Sequence, residues 1–238
     1  MRTGALLAAV LLSALTGCGA FAGHPRVEQP PVRPEDVMDF HALFEQNCQA
    51  CHGAGGQNGP AMDLANPEFQ ALVDDNTLRE IISNGLKGTQ MPAWSHEAGG
   101  MLTDRQIGAI IAGMRQEWAK PNAYGGATPP PFEQPQGGDV KHGQQAYQAR
   151  CASCHKGSDR EQVTSPVYLS LVSDQALRSI IIAGRPDIGQ PDWRHDTANG
   201  AEGQPLSGQD VTDIVAWLGS LRNPDAVSAA PNPIPPRR

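Results

Sequence analysis

The chain has 238 residues, enough for one or two domains. Only 5% of them are aromatic, and a pair of small domains with so little aromatic content needs a staple beyond apolar contact. The net charge of −7 argues against a nucleic-acid partner and for partners that offer a basic patch.

Arg2 gives a positive start, and an apolar run follows over residues 4–17. A bilayer span needs ~20 residues, so this run reads as a targeting segment. It ends in Leu15-Thr16-Gly17-Cys18, which resembles the lipobox of bacterial lipoproteins. The resemblance implies a signal peptide over 1–17, cleavage before Cys18, lipidation at Cys18 and a membrane tether over 18–37. Several acyl chains anchor firmly, whereas one binds only marginally. The alternative is an ordinary secretory signal with a chance cysteine.

Phe40, Leu43, Phe44 and Asn47 then recur at i, i+3, i+4 and predict a helix. It runs into Cys48-Gln49-Ala50-Cys51-His52. A middle helix is predicted over Asp75–Asn84, with Leu78, Ile81 and Ile82 inward and Gly85 as its stop. Thr103-Asp104-Arg105-Gln106 is a capping box, and Ile107, Ile110, Ile111, Met114 and Trp118 form the face of a last helix. Residues 120–138 are rich in Pro and Gly. Pro129-Pro130-Pro131 predicts a stiff extended stretch between flexible glycines, which leaves the orientation of the flanking domains open.

The pattern then returns. Gly143, Tyr147 and Arg150 precede Cys151-Ala152-Ser153-Cys154-His155. A second middle helix is predicted over Asp174–Ala183 with Gly184 as its stop. Ser207-Gly208-Gln209-Asp210 opens a last helix with Val211, Ile214, Val215, Leu218 and Leu221 inward. Residues 224–238 are Pro-rich and predicted to be disordered. No alternating strand pattern of useful length occurs.

The cysteines close without remainder. Of five, Cys18 takes the lipid and the other four form two Cys-x-x-Cys-His motifs, the signature of c-type haem attachment. Residues three apart share a helix face, so both sulfurs can reach the two vinyl groups on one haem edge. The following His52 or His155 then ligates the iron as proximal ligand. Export fits, because this attachment takes place outside the cytoplasm. A zinc ribbon needs its pairs ~15–20 residues apart, far closer than these. Two plain disulfides leave the histidine after each pair without a reason.

The chain is an internal repeat. Residues 67–96 align on 166–195 without a gap, at an offset of 99. Identities include Pro67/Pro166, Leu78/Leu177, Arg79/Arg178, Gly85/Gly184, Pro92/Pro191, Trp94/Trp193 and His96/His195. That density argues for duplication. Each copy resembles a class I cytochrome c domain, over residues 38–119 and 139–223. The resemblance implies an all-α fold, each domain a small helical bundle around one covalent haem c, two haems in all.

The resemblance also bears on the sixth iron ligand. Gly88-Thr89-Gln90-Met91-Pro92-Ala93-Trp94 looks like the family's distal loop, so Met91 is implied as the axial methionine of the first haem. The rivals are Met62 and Met101. In the second copy Gln190 stands in the methionine slot, and no methionine follows Met114. Three options stay open there: His195, Gln190, or an iron open to small ligands.

The resemblance implies an electron-transfer protein rather than an enzyme. Its partners would be a quinol-oxidising complex, a terminal oxidase, a reaction centre, a periplasmic dehydrogenase or a soluble redox protein. An anchored carrier searches a surface, which raises its effective concentration near membrane complexes. The alternatives are peroxidase or sensing activity at the second haem, and a second domain kept only for docking.

Overall fold

The structure, a computed structural model, describes residues 31–156, 163–194, 204–223 and 225. The expected signal peptide, the Cys18 anchor and nearly all of the C-terminal tail lie outside the described residues. The chain divides into two compact units, Met1–Asp36 and Val37–Arg238. In the first, Pro34–Asp36 form a 3-10 turn, and Arg33 Nε donates to the Asp36 carboxylate at 2.8 Å.

The second unit holds both repeats. Its described residues form nine α-helices and no β-strand. The first repeat contributes α1 (Phe40–Asn47), α2 (Gln49–His52), α3 (Pro67–Leu72), α4 (Asp75–Asn84) and α5 (Asp104–Trp118). The second contributes α6 (Val140–Arg150), α7 (Pro166–Leu171), α8 (Asp174–Ala183) and α9 (Gly208–Ser220). Both middle helices and both capping boxes stand where the apolar spacing and cap residues predict. Helices α3 and α7 are additions. Each has six residues, too short to show a stripe, but each opens with Pro at the first turn, where the missing N–H costs nothing.

Each repeat is built on one crossing, between its first and last helix. In the first, Phe40 and Phe44 of α1 meet Trp118 of α5 edge-on, at 5.4 and 5.2 Å between ring centres. Gly113 of α5 makes room, since a Cβ there would lie 2.2 Å from the Phe40 ring. In the second, Tyr147 of α6 meets Trp217 of α9 at 4.5 Å. Here the glycine is on the other partner: a Cβ on Gly143 of α6 would lie 1.9 Å from the Asp213 carbonyl oxygen of α9. Beneath these crossings lie Ile107, Ile110, Ile111 and Met114 in one repeat, and Val211, Ile214, Val215 and Leu218 in the other.

The repeats are not beads on a flexible tether. Helix α3 packs against α8, and Ala183 of α8 belongs to the first repeat's apolar cluster. Asn66, 2% exposed, caps α3 with its side-chain oxygen and donates its nitrogen to the carbonyls of Ala183 and Gly184, at 2.9 and 3.3 Å. The linker is a strap laid on both repeats. Tyr124 is buried and its hydroxyl donates to the Glu68 carbonyl at 2.7 Å. Phe132 packs on the first cluster while its carbonyl accepts from Gln175 of α8 at 2.6 Å. The Pro131 carbonyl accepts from Arg178 Nε at 2.8 Å. A proline-rich segment has carbonyls with no ladder partner, and here arginine and glutamine side chains of α8 supply the donors.

Two predictions follow from the second crossing. Gly143→Ala should lower stability by about 1–3 kcal/mol, because the added methyl meets backbone that cannot rotate away. Chemical denaturation followed by circular dichroism reads this, and an unchanged midpoint would contradict the crossing.

His142 Nδ1 lies 2.7 Å from the Asp213 carboxylate, which is itself buried. That hydrogen bond holds the imidazole above its ordinary value of 6.5, against some burial, with Asp213, Asp210 and Asp139 adding their charges. A raised folded value means that the pair stabilises fully below about pH 6.5 and loses this as pH rises through the folded value. The denaturation midpoint should therefore fall as pH rises above about 6.5, and fall less in His142→Gln. Equal slopes for the two proteins would remove His142 from the account.

Candidate haem sites

Both Cys-x-x-Cys-His motifs hang directly from the first helix of their repeat. In the first, Cys48 N donates to Phe44 O at 2.8 Å, closing α1. Cys51 N and His52 N then turn back onto Cys48 O at 3.2 and 3.0 Å. In the second, Cys151 N donates to Tyr147 O at 2.8 Å, and Cys154 N and His155 N turn back onto Cys151 O at 3.2 and 3.0 Å. The two turns thus share one backbone geometry. In each, the first cysteine is half-buried and the second exposed, and all four thiols are free.

Burial, with Cys51 close by, pushes the Cys48 thiol up to about 12. Burial likewise pushes Cys151 up to about 11, against the opposing charge of Arg150. Both are therefore neutral thiols at physiological pH.

His52 is oriented by a residue that carries no motif. Its Nδ1 lies 2.9 Å from the Met62 carbonyl. A backbone carbonyl only accepts, so Nδ1 carries the proton and Nε2 keeps a lone pair aimed the other way. Burial, with the nearby Arg185 charge, pushes the imidazole below its ordinary value, against the Met62 hydrogen bond, and keeps it neutral. A neutral ring with its far nitrogen tied to a carbonyl is the usual arrangement of a metal-ligating histidine. The loop that brings Met62 round needs Gly59: a Cβ there would lie 2.4 Å from Cys51 O.

Each repeat has a hairpin-like loop after its middle helix. In the first, Leu86 N donates to Met91 O at 3.0 Å, and Met91 N donates to Thr89 Oγ1 at 3.1 Å. Met91 itself is half-buried. Of its rivals, Met101 is 70% exposed, and Met62 packs on the core with its carbonyl behind the His52 ring.

In the second, Arg185 and Gln190 exchange backbone hydrogen bonds, each of 2.9 Å. The Gln190 side-chain nitrogen donates to the Ile180 carbonyl at 3.2 Å. His96 is exposed on a short 3-10 turn, and its copy His195 lies outside the described residues.

The donor sets fit a covalent haem. Each offers two free thiols and a histidine on one turn, and the second repeat adds an unsatisfied donor. Trp193 is 8% exposed, and its buried indole N–H has no partner among the described residues. A carboxylate of a haem would accept a hydrogen bond from such a donor.

Residues 35–112 match the family described as cytochrome c oxidase, cbb3-type, subunit III, and residues 140–222 match cytochrome c. The chain belongs to the cytochromes c, as two tandem domains. Two such domains carry two covalently bound haem c groups and serve electron transfer.

Among relatives, the cytochrome is 37% identical over 75 residues to the dihydro-heme d1 dehydrogenase of Pseudomonas aeruginosa. That stretch covers 32% of this chain and 14% of the dehydrogenase. A chain of the Kuenenia stuttgartiensis reducing HAO-like protein complex shares 16% identity, with a TM-score of 0.45 over 82% of this chain and 100% of its own.

Sequence reasoning missed the Met62 carbonyl, since a backbone acceptor leaves no side-chain signature. The unpaired N–H of Trp193 likewise escaped it.

Proposed function

We propose that this protein is a lipid-anchored dihaem cytochrome c that passes electrons between membrane redox complexes outside the cytoplasm. The observation that carries this is the pair of matching turns, with His52 held neutral and oriented by Met62 O at 2.9 Å. Cys48, Cys51 and His52 hold the first haem, and Cys151, Cys154 and His155 the second. Met91 is the sixth ligand of the first iron. Its half-buried loop position and the unsuitable places of Met62 and Met101 support this. A methionine ligand is neutral and soft, favours ferrous iron and raises the potential.

The chain's own residues prepare the reaction rather than take part in it. Met62 O fixes the proton on Nδ1, the glycine-bearing loop shields the imidazole from water, and the helix crossing keeps both thiols on one turn. Bound there, the haem supplies the one-electron chemistry. Electron exchange of this kind asks only that ligand geometry change little between oxidation states.

The anchor is Cys18, after removal of residues 1–17, with 18–37 as tether, 38–119 and 139–223 as haem domains, 120–138 between them and 224–238 as tail. A net charge of −7 suits docking on a basic partner surface. The cbb3 oxidase family match supports a terminal oxidase as one such partner, and the dehydrogenase relative supports an oxidoreductase as another. A quinol-oxidising complex, a reaction centre or a soluble redox protein fits the same chemistry.

A second reading concerns the second haem. Gln190 stands in the methionine slot with its amide nitrogen on Ile180 O, so the sixth position falls to His195, to the Gln190 amide oxygen, or to no residue, leaving an iron open to small molecules such as peroxide.

Carbon monoxide added to the dithionite-reduced protein decides between them. Two six-coordinate irons give no spectral change and favour His195 as the ligand. A shift at one haem marks an open site and calls for a peroxide turnover assay. A chain with no haem after denaturing electrophoresis rules out both readings.

Met91→His should keep its haem and lower that haem's potential, within the roughly 0.8 V range that axial ligation helps to set. An unmoved potential excludes Met91. His52→Ala should instead impair haem incorporation at the first site.

A further inference from the structure

The two repeats differ most where they touch. At the shared offset, Leu86 of the first distal loop is replaced by Arg185, Gly88 by Asp187, Met91 by Gln190 and Ser95 by Arg194. Three of these four replacements make polar contacts to the other repeat.

Arg185 clamps Asp187 through two hydrogen bonds, at 2.9 and 2.7 Å, and the pair is buried, with side chains 7% and 1% exposed. The spare reach of each goes across the boundary. Arg185 Nη2 donates to Gly59 O at 3.0 Å, and the Asp187 carboxylate accepts from Asn58 N at 2.9 Å. Asn58 and Gly59 belong to the loop that follows the first haem motif, and Gly59 rests directly on the Cys51 and His52 backbone. Arg194 makes a parallel contact to Glu68 at 3.2 Å.

A buried ion pair is a costly way to gain stability, and its best-attested use is to select one arrangement over others. The two residues satisfy each other within the loop, and their remaining hydrogen bonds are made only when the loop sits on Asn58 and Gly59. Leaving either partner without the other buries an uncompensated charge. The loop is therefore specified in one position, and Gln190, paired with Arg185 along the backbone, is specified with it.

We propose that the loop Arg185–Gln190 has exchanged roles: in the first repeat its counterpart supplies an iron ligand, and in the second it locks the two haem sites at a fixed spacing by docking on the loop behind the first motif. The proposal rests on the reading that both Cys-x-x-Cys-His turns hold haem. The linker strap holds the same closed arrangement through Tyr124 on Glu68 and through Pro131 and Phe132 on α8, and the spacing is a property of the fold rather than of linker statistics.

Pulsed dipolar EPR on the fully oxidised, full-length holoprotein measures the separation of the two ferric haems. The wild type should give one narrow distance. Arg185→Leu with Asp187→Gly restores the first repeat's residues, and should at least double the width of that distribution while helix content and covalent haem stay unchanged. If that variant fails to retain both haems, Asp187→Asn keeps the shape, removes the charge and should broaden the distribution in the same sense. A broad wild-type distribution, or a wild-type width in the haem-loaded variant, overturns the lock. A wild type without covalent haem overturns the function reading instead. The lock is then tested with nitroxide labels on Glu45 and Gln148, both exposed, with the same two outcomes.

Discussion

Everything in each domain depends on the crossing of its first and last helices. The haem motif is the direct continuation of the first helix, joined by Cys48 N on Phe44 O and by Cys151 N on Tyr147 O. Whatever fixes that helix fixes the thiols and the histidine. Both domains reach the same crossing by different means. One sets two phenylalanines edge-on against Trp118 and opens space with Gly113 on the last helix. The other sets Tyr147 on Trp217 and opens space with Gly143 on the first. A close approach needs one missing side chain, and either partner can provide it.

The second constraint is polar and lies between the domains. Carbonyls of a proline-rich strap, the end of α8 and a glycine-bearing loop would all be left buried without partners if the domains simply abutted. Asn66, Gln175, Arg178 and Arg185 supply the donors. Each such bond contributes modestly when made, yet leaves a penalty of about 1–3 kcal/mol per orphaned group when broken. The boundary therefore tolerates few alternatives, which apolar contact alone would allow. Asp63 shows the cost side. It is 3% exposed, one of its oxygens has no partner among the described residues, and burial with Asp187 nearby pushes it up to about 6 against Arg185.

The two sites use one attachment turn with two different surroundings. Around the first, a half-buried neutral histidine and a methionine-bearing loop suit a high-potential carrier. Around the second, the equivalent loop is committed to the domain boundary, and the Gln190 amide nitrogen donates to Ile180. Duplication provides two similar scaffolds, and three of the replacements in the second loop, Arg185, Asp187 and Arg194, bond to the first copy.

Much of this was legible in the sequence. The attachment turns, the repeat, both middle helices and both capping boxes follow from spacings of three and four residues, because these features are made by near neighbours along one helix. Helices α3 and α7 escaped that reading, since six residues are too few for a period, although their opening prolines mark them. What the sequence could not decide is settled by residues far apart in the chain. Arg79 and Arg178 are the same residue at the same place in the repeat, yet Arg79 is exposed while Arg178 is 1% exposed beneath the strap, bonded to Pro131 O and Thr212 Oγ1. The Met62 carbonyl behind His52 and the Arg185–Asp187 pair on Asn58 and Gly59 are of the same kind. Local pattern determines which helices form and where the thiols stand. Only the tertiary structure decides which carbonyl meets which donor, because backbone acceptors are identical at every position until folding brings one of them near.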